Sequence, residues 1–388
     1  MALRDEILAQ PAAAIGVPAA KGSARTLDEV AALGGVSRAT VSRVINGGSV
    51  SKETRQRVQA VLDGTDYRPN AAARTLASGR SGVVGVVMHV DPHELFRDPY
   101  FSELLQGMSD GLSERTGGMM LWLGNRSKED TLERILSMSL LGGVIVTAGT
   151  LEDPLVDGLL ASRLATVLIG HRRADRSASY VDIDNVSAAE AVTSHLVELG
   201  RRRIGHITGR RGTVAGEGRF EGYRAAMRRA GLPTEELTVD GDFEKTGGVA
   251  AAGELLDRGV DAIFCANDAT AAGALETIRG RGLRIPEDIA LAGFDDLEFA
   301  AHLDPALTTV RQRVRQQGSE AALALLGLMS DPGSGPRRVI LPTELVIRQS
   351  TIGRVPAGLN AGAVVDPWPP PVGASTTAGR SRSSRQLE

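Results

Sequence analysis

Aromatic side chains are scarce in this 388-residue sequence: Phe, Trp and Tyr together make up 3% of it. Its cores must therefore rely on Ala, Val, Leu and Ile. Cysteine is almost absent. The lone Cys265 excludes an intramolecular disulfide framework and fits a reducing cytosol. No run approaches the ~18 consecutive apolar residues of a membrane span. The opening MALRDEILAQPAAAIGVPAA has no uninterrupted apolar stretch of signal-peptide length, so a soluble, cytoplasmic protein with no membrane partner is expected. Enzyme signatures are missing too. There is no P-loop and no dinucleotide fingerprint after the first strand pattern, and Cys265 sits inside a strand pattern without local activation. Neither an enzyme nor a cofactor is expected.

The charge is unevenly spread. The whole chain carries −3, yet Lys21 to Arg80 holds ten Lys/Arg against five Asp/Glu. A small basic module joined to an acidic body is the asymmetry expected when one part alone meets phosphate. Residues 1–25, rich in Ala, Pro and Gly, read as a disordered leader. Residues 354–388, ending in GRSRSSRQLE, read as a disordered tail. That tail has no leucine heptads, which argues against a tetramer built on it.

From residue 81 to 353 the pattern is strand, helix, strand. SGVVGVVMHV is a short β-branched run of the kind buried in parallel sheets. FSELLQGMSDGLSERTG is helical, MMLWLGN a strand, and the alternation continues through ATVLIGH. It restarts with SAAEAVTSHLVELG and RRRIGHITG and runs on through AIFCAND and IALAGFDD. This βαβα order predicts two doubly wound α/β lobes with a cleft between them.

Residues 26–69 predict a small all-α module. Thr26 caps a first helix, and Glu29 completes a capping box. Gly35 marks a turn. Ser37 caps a second helix that turns Val41, Val44 and Ile45 inward and Arg38, Ala39, Ser42 and Arg43 outward. Helix, glycine turn and a second helix with exposed Arg and Ser is what insertion into a major groove requires. Arginine can bond guanine bidentately and an alanine methyl can meet a thymine methyl. Ser37, Thr40 and Asn46 suit phosphate contacts. The helix-turn-helix spans roughly Thr26 to Asn46.

The strings TLDEVAALGGVSRATVSRVIN, VSKETRQRVQAVLDGTDYRPN and AAARTLASGRS, followed by HLVELGRRRIGHITG, FCANDATAAGAL, IPEDIALAGFDD and PALTTVRQ, resemble the lac repressor/gal repressor family of transcription regulators over residues 26–350. The resemblance implies a repressor that binds near-palindromic operator DNA as a homodimer, under control of a small-molecule effector. It implies base reading by Arg38, Ala39 and Arg43 and backbone contacts by Tyr67 and Asn70. It also implies a hinge helix and linker over residues 70–80, which contains Ala73, with Leu76 wedging base pairs apart from the minor groove. The body would resemble periplasmic sugar-binding proteins.

Cleft residues in such folds sit at the C-terminal ends of strands. Asn267 and Asp268 end one strand, Asp295 and Asp296 another, His171 a third, and Arg219 opens a helix. The family match implies ligand contact at Arg219, Asn267 and Asp295. Tyr100, Phe101 and Phe264 are candidate apolar walls, and His171 a further polar contact. Asn267 and Asp268 could instead cap the following helix, and Phe264 could be core. Carboxylate, amide and guanidinium groups suit a polyhydroxylated effector, a sugar; a nucleoside or another non-sugar corepressor is the alternative. In HVDPHELFRDPYF, His89, Asp91 and His93 alternate, but Pro92 interrupts them and no further ligand pattern follows. The segment reads as a loop at the cleft entrance, with no metal site expected.

Overall fold

The structure is a computed structural model that describes residues 26–45, 48–65, 67, 82–88, 90–112, 118–123, 127–147, 149–172 and 177–353. The chain divides into two units, 1–81 and 82–388.

In the first unit, α1 (Leu27–Gly34), α2 (Arg38–Ile45) and α3 (Lys52–Asp63) enclose a core of Val30, Ala31, Val41, Val44 and Val58. The capping box forms as expected: Glu29 N–H donates to Thr26 Oγ1 at 3.2 Å, and Thr26 N–H donates to Glu29 Oε2 at 3.1 Å. Gly35 ends α1 at φ 60°, a left-handed turn that costs glycine nothing sterically. Ser37 Oγ accepts the Thr40 N–H at 3.2 Å and starts α2. Ser51 does the same for α3 through Thr54.

The second unit contains, among the described residues, β1 (Val83–Met88), β2 (Gly118–Leu123), β3 (Leu141–Thr147), β4 (Ala165–Ile169), β5 (Ser179–Ile183), β6 (Ile204–Thr208), β7 (Thr238–Asp240), β8 (Ala262–Cys265), β9 (Ala290–Ala292), β10 (Thr309–Arg311), β11 (Arg338–Leu341) and β12 (Glu344–Val346). They form two parallel sheets, one in the order β11-β5-β4-β3-β1-β2 and one in the order β7-β6-β8-β9. β10 and β12 pair antiparallel between them. The chain crosses from lobe to lobe just after β5, just after β10, and between β11 and β12. Ala, Val, Leu and Ile dominate both lobe cores, with Tyr223, Phe264 and Phe294 as the largest side chains.

With few rings to fill space, helices pack closely through glycine. The helices Pro99–Leu112 and Val314–Ser330 meet at Gly107 and Gly318, where a Cβ would overlap the Arg315 and Leu104 carbonyls respectively. No helix among the described residues is long and apolar enough to cross a membrane.

Candidate DNA-reading helix and effector cleft

On α2, Arg38, Ala39 and Arg43 project into solvent, while Val41 and Val44 hold the helix to its module. Arg38 lies 3.5 Å from Asp28, both well exposed. Such a surface pair is weak, so the guanidinium can exchange it for another partner. Ser37 and Thr40 hydroxyls bond each other at 2.9 Å, so both are engaged in starting the helix. Ser42 is half-buried, and Tyr67 packs against the three-helix core. Asn46, Asn70, Ala73 and Leu76 lie outside the described residues.

In the body, a cavity of about 160 Å³ opens between the lobes. Its walls are the strand ends and crossings that doubly wound folds use for ligands. From one lobe come Glu94, Asp98, Tyr100, Phe101, Ile169 and Asp182. From the other come Arg210, Thr213, Arg219, Phe243, Asn267 and Asp295, with Asn185, Gln312 and Gln317 at or near the crossings.

Arg219 is the organising cation. Its guanidinium donates to Asn185 Oδ1 at 3.0 Å, to the Ala266 carbonyl at 2.5 Å and to Asp295 Oδ1 at 3.4 Å. It stacks 3.8 Å from the Phe294 ring centre and faces Phe243 at 5.7 Å, a cation–π arrangement that gains strength where water is excluded. Asp295 sits at φ 119°. A non-glycine residue there is strained, and such strain concentrates at functional sites. Burial pushes its carboxyl well above the usual carboxylate range, although Arg219 opposes the shift and Gln312 Nε2 donates to it. Burial likewise raises Asp98 to about 6, with Glu94 adding to the shift and the Tyr100 N–H bond resisting it. The cavity thus holds carboxyl groups able to accept or, when protonated, to donate hydrogen bonds.

Of the sequence-derived candidates, Phe101, Arg219, Asn267 and Asp295 line this cavity. Asn267 both lines it and caps the next helix: its Oδ1 accepts the Thr270 N–H at 2.9 Å, and its Nδ2 donates to the Phe243 carbonyl at 2.9 Å. Two candidates are corrected. Phe264 is completely buried and stacks on His206 at 4.7 Å. It packs with Leu196 and Tyr223 in the core because its strand position turns it toward the covering helices. His171 is outside the lining. Its N–H and Nδ1 lie 3.0 and 2.7 Å from Asp182 Oδ2, and its ring stacks on Tyr180 at 4.1 Å. Asp182 is the cavity residue, and His171 braces it.

Asp268 is buried behind the wall, accepting from Thr309 Oγ1 at 2.6 Å and Leu297 N–H at 2.9 Å. Asp296 is held by Arg311 and Arg348, each at 2.6 Å. Sequence reasoning missed Asp182 and Asn185, although the strand-end rule applied to SYVDIDN would have found both. Gln312 and Gln317 carry no local signal, since the lobe crossing alone brings them in. Asp98 lies two residues before Tyr100 and three before Phe101, the two rings expected as apolar walls.

Two comparisons of sequence and one of structure bear on this arrangement. Residues 26–70 match the model of bacterial regulatory proteins of the lacI family, and residues 193–351 match a periplasmic binding protein-like domain. The HTH-type transcriptional regulator CelR of Thermobifida fusca is 39% identical over 84% of this chain and 98% of its own length. A solved CelR–cellobiose complex is similar at TM-score 0.66 and 36% identity, covering 84% of this chain and all of that one. The lac repressor dimer bound to operator and an anti-inducer is similar at TM-score 0.75 and 26% identity, over 84% of this chain and 98% of that one.

Proposed function

This chain belongs to the lacI family of bacterial regulatory proteins, a DNA-binding regulator with a small-molecule effector, and from that premise we propose that it is a cytoplasmic, homodimeric repressor, not an enzyme, whose operator affinity a sugar controls. Arg38, Ala39 and Arg43 read base edges in the major groove, with Thr26, Ser37, Thr40, Ser42, Asn46, Tyr67, Asn70 and Ala73 positioning the backbone and Leu76 entering the minor groove. Twofold symmetry makes the operator near-palindromic. The effector fills the cleft at Phe101, Arg219, Asn267 and Asp295, joined by Asp98, Asp182 and Phe243.

One observation carries the sugar reading: acids, amides and two braced guanidinium groups, Arg210 and Arg219, ring a cavity walled by Phe101 and Phe243. Hydroxyl pairs suit the polar groups, and the C–H face of a pyranose suits the rings. That the similar CelR is solved in complex with cellobiose supports the same ligand class. The effector acts through its differential affinity for open and closed lobes.

The test is a gel shift on DNA flanking the gene, run with cellobiose, glucose, ribose and cytidine, alongside thermal unfolding with each. Preference for one near-palindrome over random DNA, changed by a sugar that also raises the melting temperature, is the expected result. Binding without sequence preference would defeat the regulator reading. A response to cytidine alone would defeat the sugar reading.

A further inference from the structure

The lobes touch around the cavity as well as across it. Thr150 and Thr213, from opposite lobes, form an antiparallel bridge; Leu151 N–H donates to the Gly212 carbonyl at 2.8 Å, and Val214 N–H donates to the Gly149 carbonyl at 3.3 Å. A second contact involves side chains. Glu94 lies on the short helix Pro92–Arg97, within HVDPHELFRDPYF, and Arg210 follows β6 on the other lobe. Arg210 Nη2 reaches Glu94 Oε2 at 3.0 Å while its Nε reaches Asp242 Oδ1 at 2.6 Å. Asp242 precedes Phe243, and both residues have positive φ, 51° and 64°. The Phe243 ring lies over Gly209, where a Cβ would overlap it. One guanidinium therefore ties a helix of one lobe to the loop that holds an apolar cavity wall of the other.

We propose that Arg210 is a positioning residue of the effector site, a cross-cleft tie through Glu94 that holds the two lobes together and the Phe243 loop in place. This rests on the effector reading given above. The two halves of the tie behave differently on opening. The Arg210–Asp242 pair lies within one lobe and survives, while the Arg210–Glu94 pair must break. Glu94 is the more deeply buried partner, with its side chain 11% exposed against 35% for Arg210. Burial raises its carboxyl from the ordinary value despite the adjacent guanidinium. Desolvation thus offsets much of the attraction, which makes the tie reversible rather than permanent.

The experiment measures the distance between lobes in the full chain without DNA or effector. Spin labels are placed at Glu129→Cys on one lobe and Ala250→Cys on the other, both exposed; Cys265 is buried and stays unlabelled. Glu94→Gln removes the charge at nearly constant size, and Glu94→Lys sets a cation against Arg210. Both should broaden the distribution toward longer distances, Glu94→Lys the more, with the thermal unfolding profile of the body retained. Distributions that superimpose on the parent in the Glu94→Gln protein would overturn the proposal, and that variant decides the matter if Glu94→Lys fails to fold. Because nothing in the measurement depends on operator or sugar, its failure leaves the regulator reading standing, and failure of the gel shift leaves this result intact.

Discussion

Replacing Arg219 with Met tests whether the cleft is organised around one buried cation. The substitution keeps length and apolar bulk but removes the charge that bonds Asn185, the Ala266 carbonyl and Asp295. Breaking a buried pair by deleting one partner costs about 3–5 kcal/mol, because the other charge is left uncompensated. In a body of this size each kcal/mol moves the melting temperature by about 2–4 °C, so a loss of roughly 6–20 °C is expected at about pH 8.

The loss should depend on pH in a definite direction. Asp295 is already raised above the ordinary carboxylate range by burial, and without Arg219 it rises further. An acid whose folded pKa lies above its unfolded value costs stability wherever the unfolded chain would be ionised. That penalty is absent below the unfolded value, grows as pH rises toward the folded value, and is complete above it. The variant should therefore lie closer to the parent at about pH 4.5 than at about pH 8. Thermal unfolding at both values is the assay. An equal deficit at both would refute the claim that Arg219 neutralises Asp295, and no deficit at either would refute the buried pair altogether.

Four further outcomes follow from the same structure. Asp98→Asn keeps an oxygen for the Tyr100 N–H but removes a carboxyl raised to about 6; it should raise the melting temperature by a few degrees above that value and change little near pH ~4, and a pH-independent effect would contradict the burial argument. Gly107→Ala should destabilise by about 1–3 kcal/mol or more through the clash with the Arg315 carbonyl. Gly327→Ala on the partner helix, with nothing nearby to meet, should stabilise by roughly 0.5–1 kcal/mol, and the same sign for both would defeat the packing account. In competition gel shifts Arg43→Ala should lose about 1–3 kcal/mol and relax preference at one base pair, whereas a uniform loss across sequences would mean it touches phosphate only.

Local chemistry wrote much of this molecule into its sequence. The Thr26–Glu29 capping box, the left-handed Gly35 and the inward Val41 and Val44 involve neighbours a few residues apart, so spacing alone exposes them. The strand runs after residue 82 are legible because parallel strands covered on both faces read as near-continuous apolar runs. Strand order and handed crossovers then place Arg219, Asn267 and Asp295 on one rim, because strand ends of a doubly wound sheet converge there.

Tertiary structure alone decided the rest. Side-chain direction separated Phe264, turned into the core, from Phe101, which lines the cavity. The Asp182 carboxylate of β5 captured His171, just past the end of the adjacent β4, a pairing that neither stretch betrays. Gln312 and Gln317 reach the cavity because the chain crosses between lobes there. The Glu94–Arg210 tie joins residues 116 apart in sequence. Periodicity reports which face of an element is buried; it carries no information about which distant charge will be waiting on the other side of a cleft.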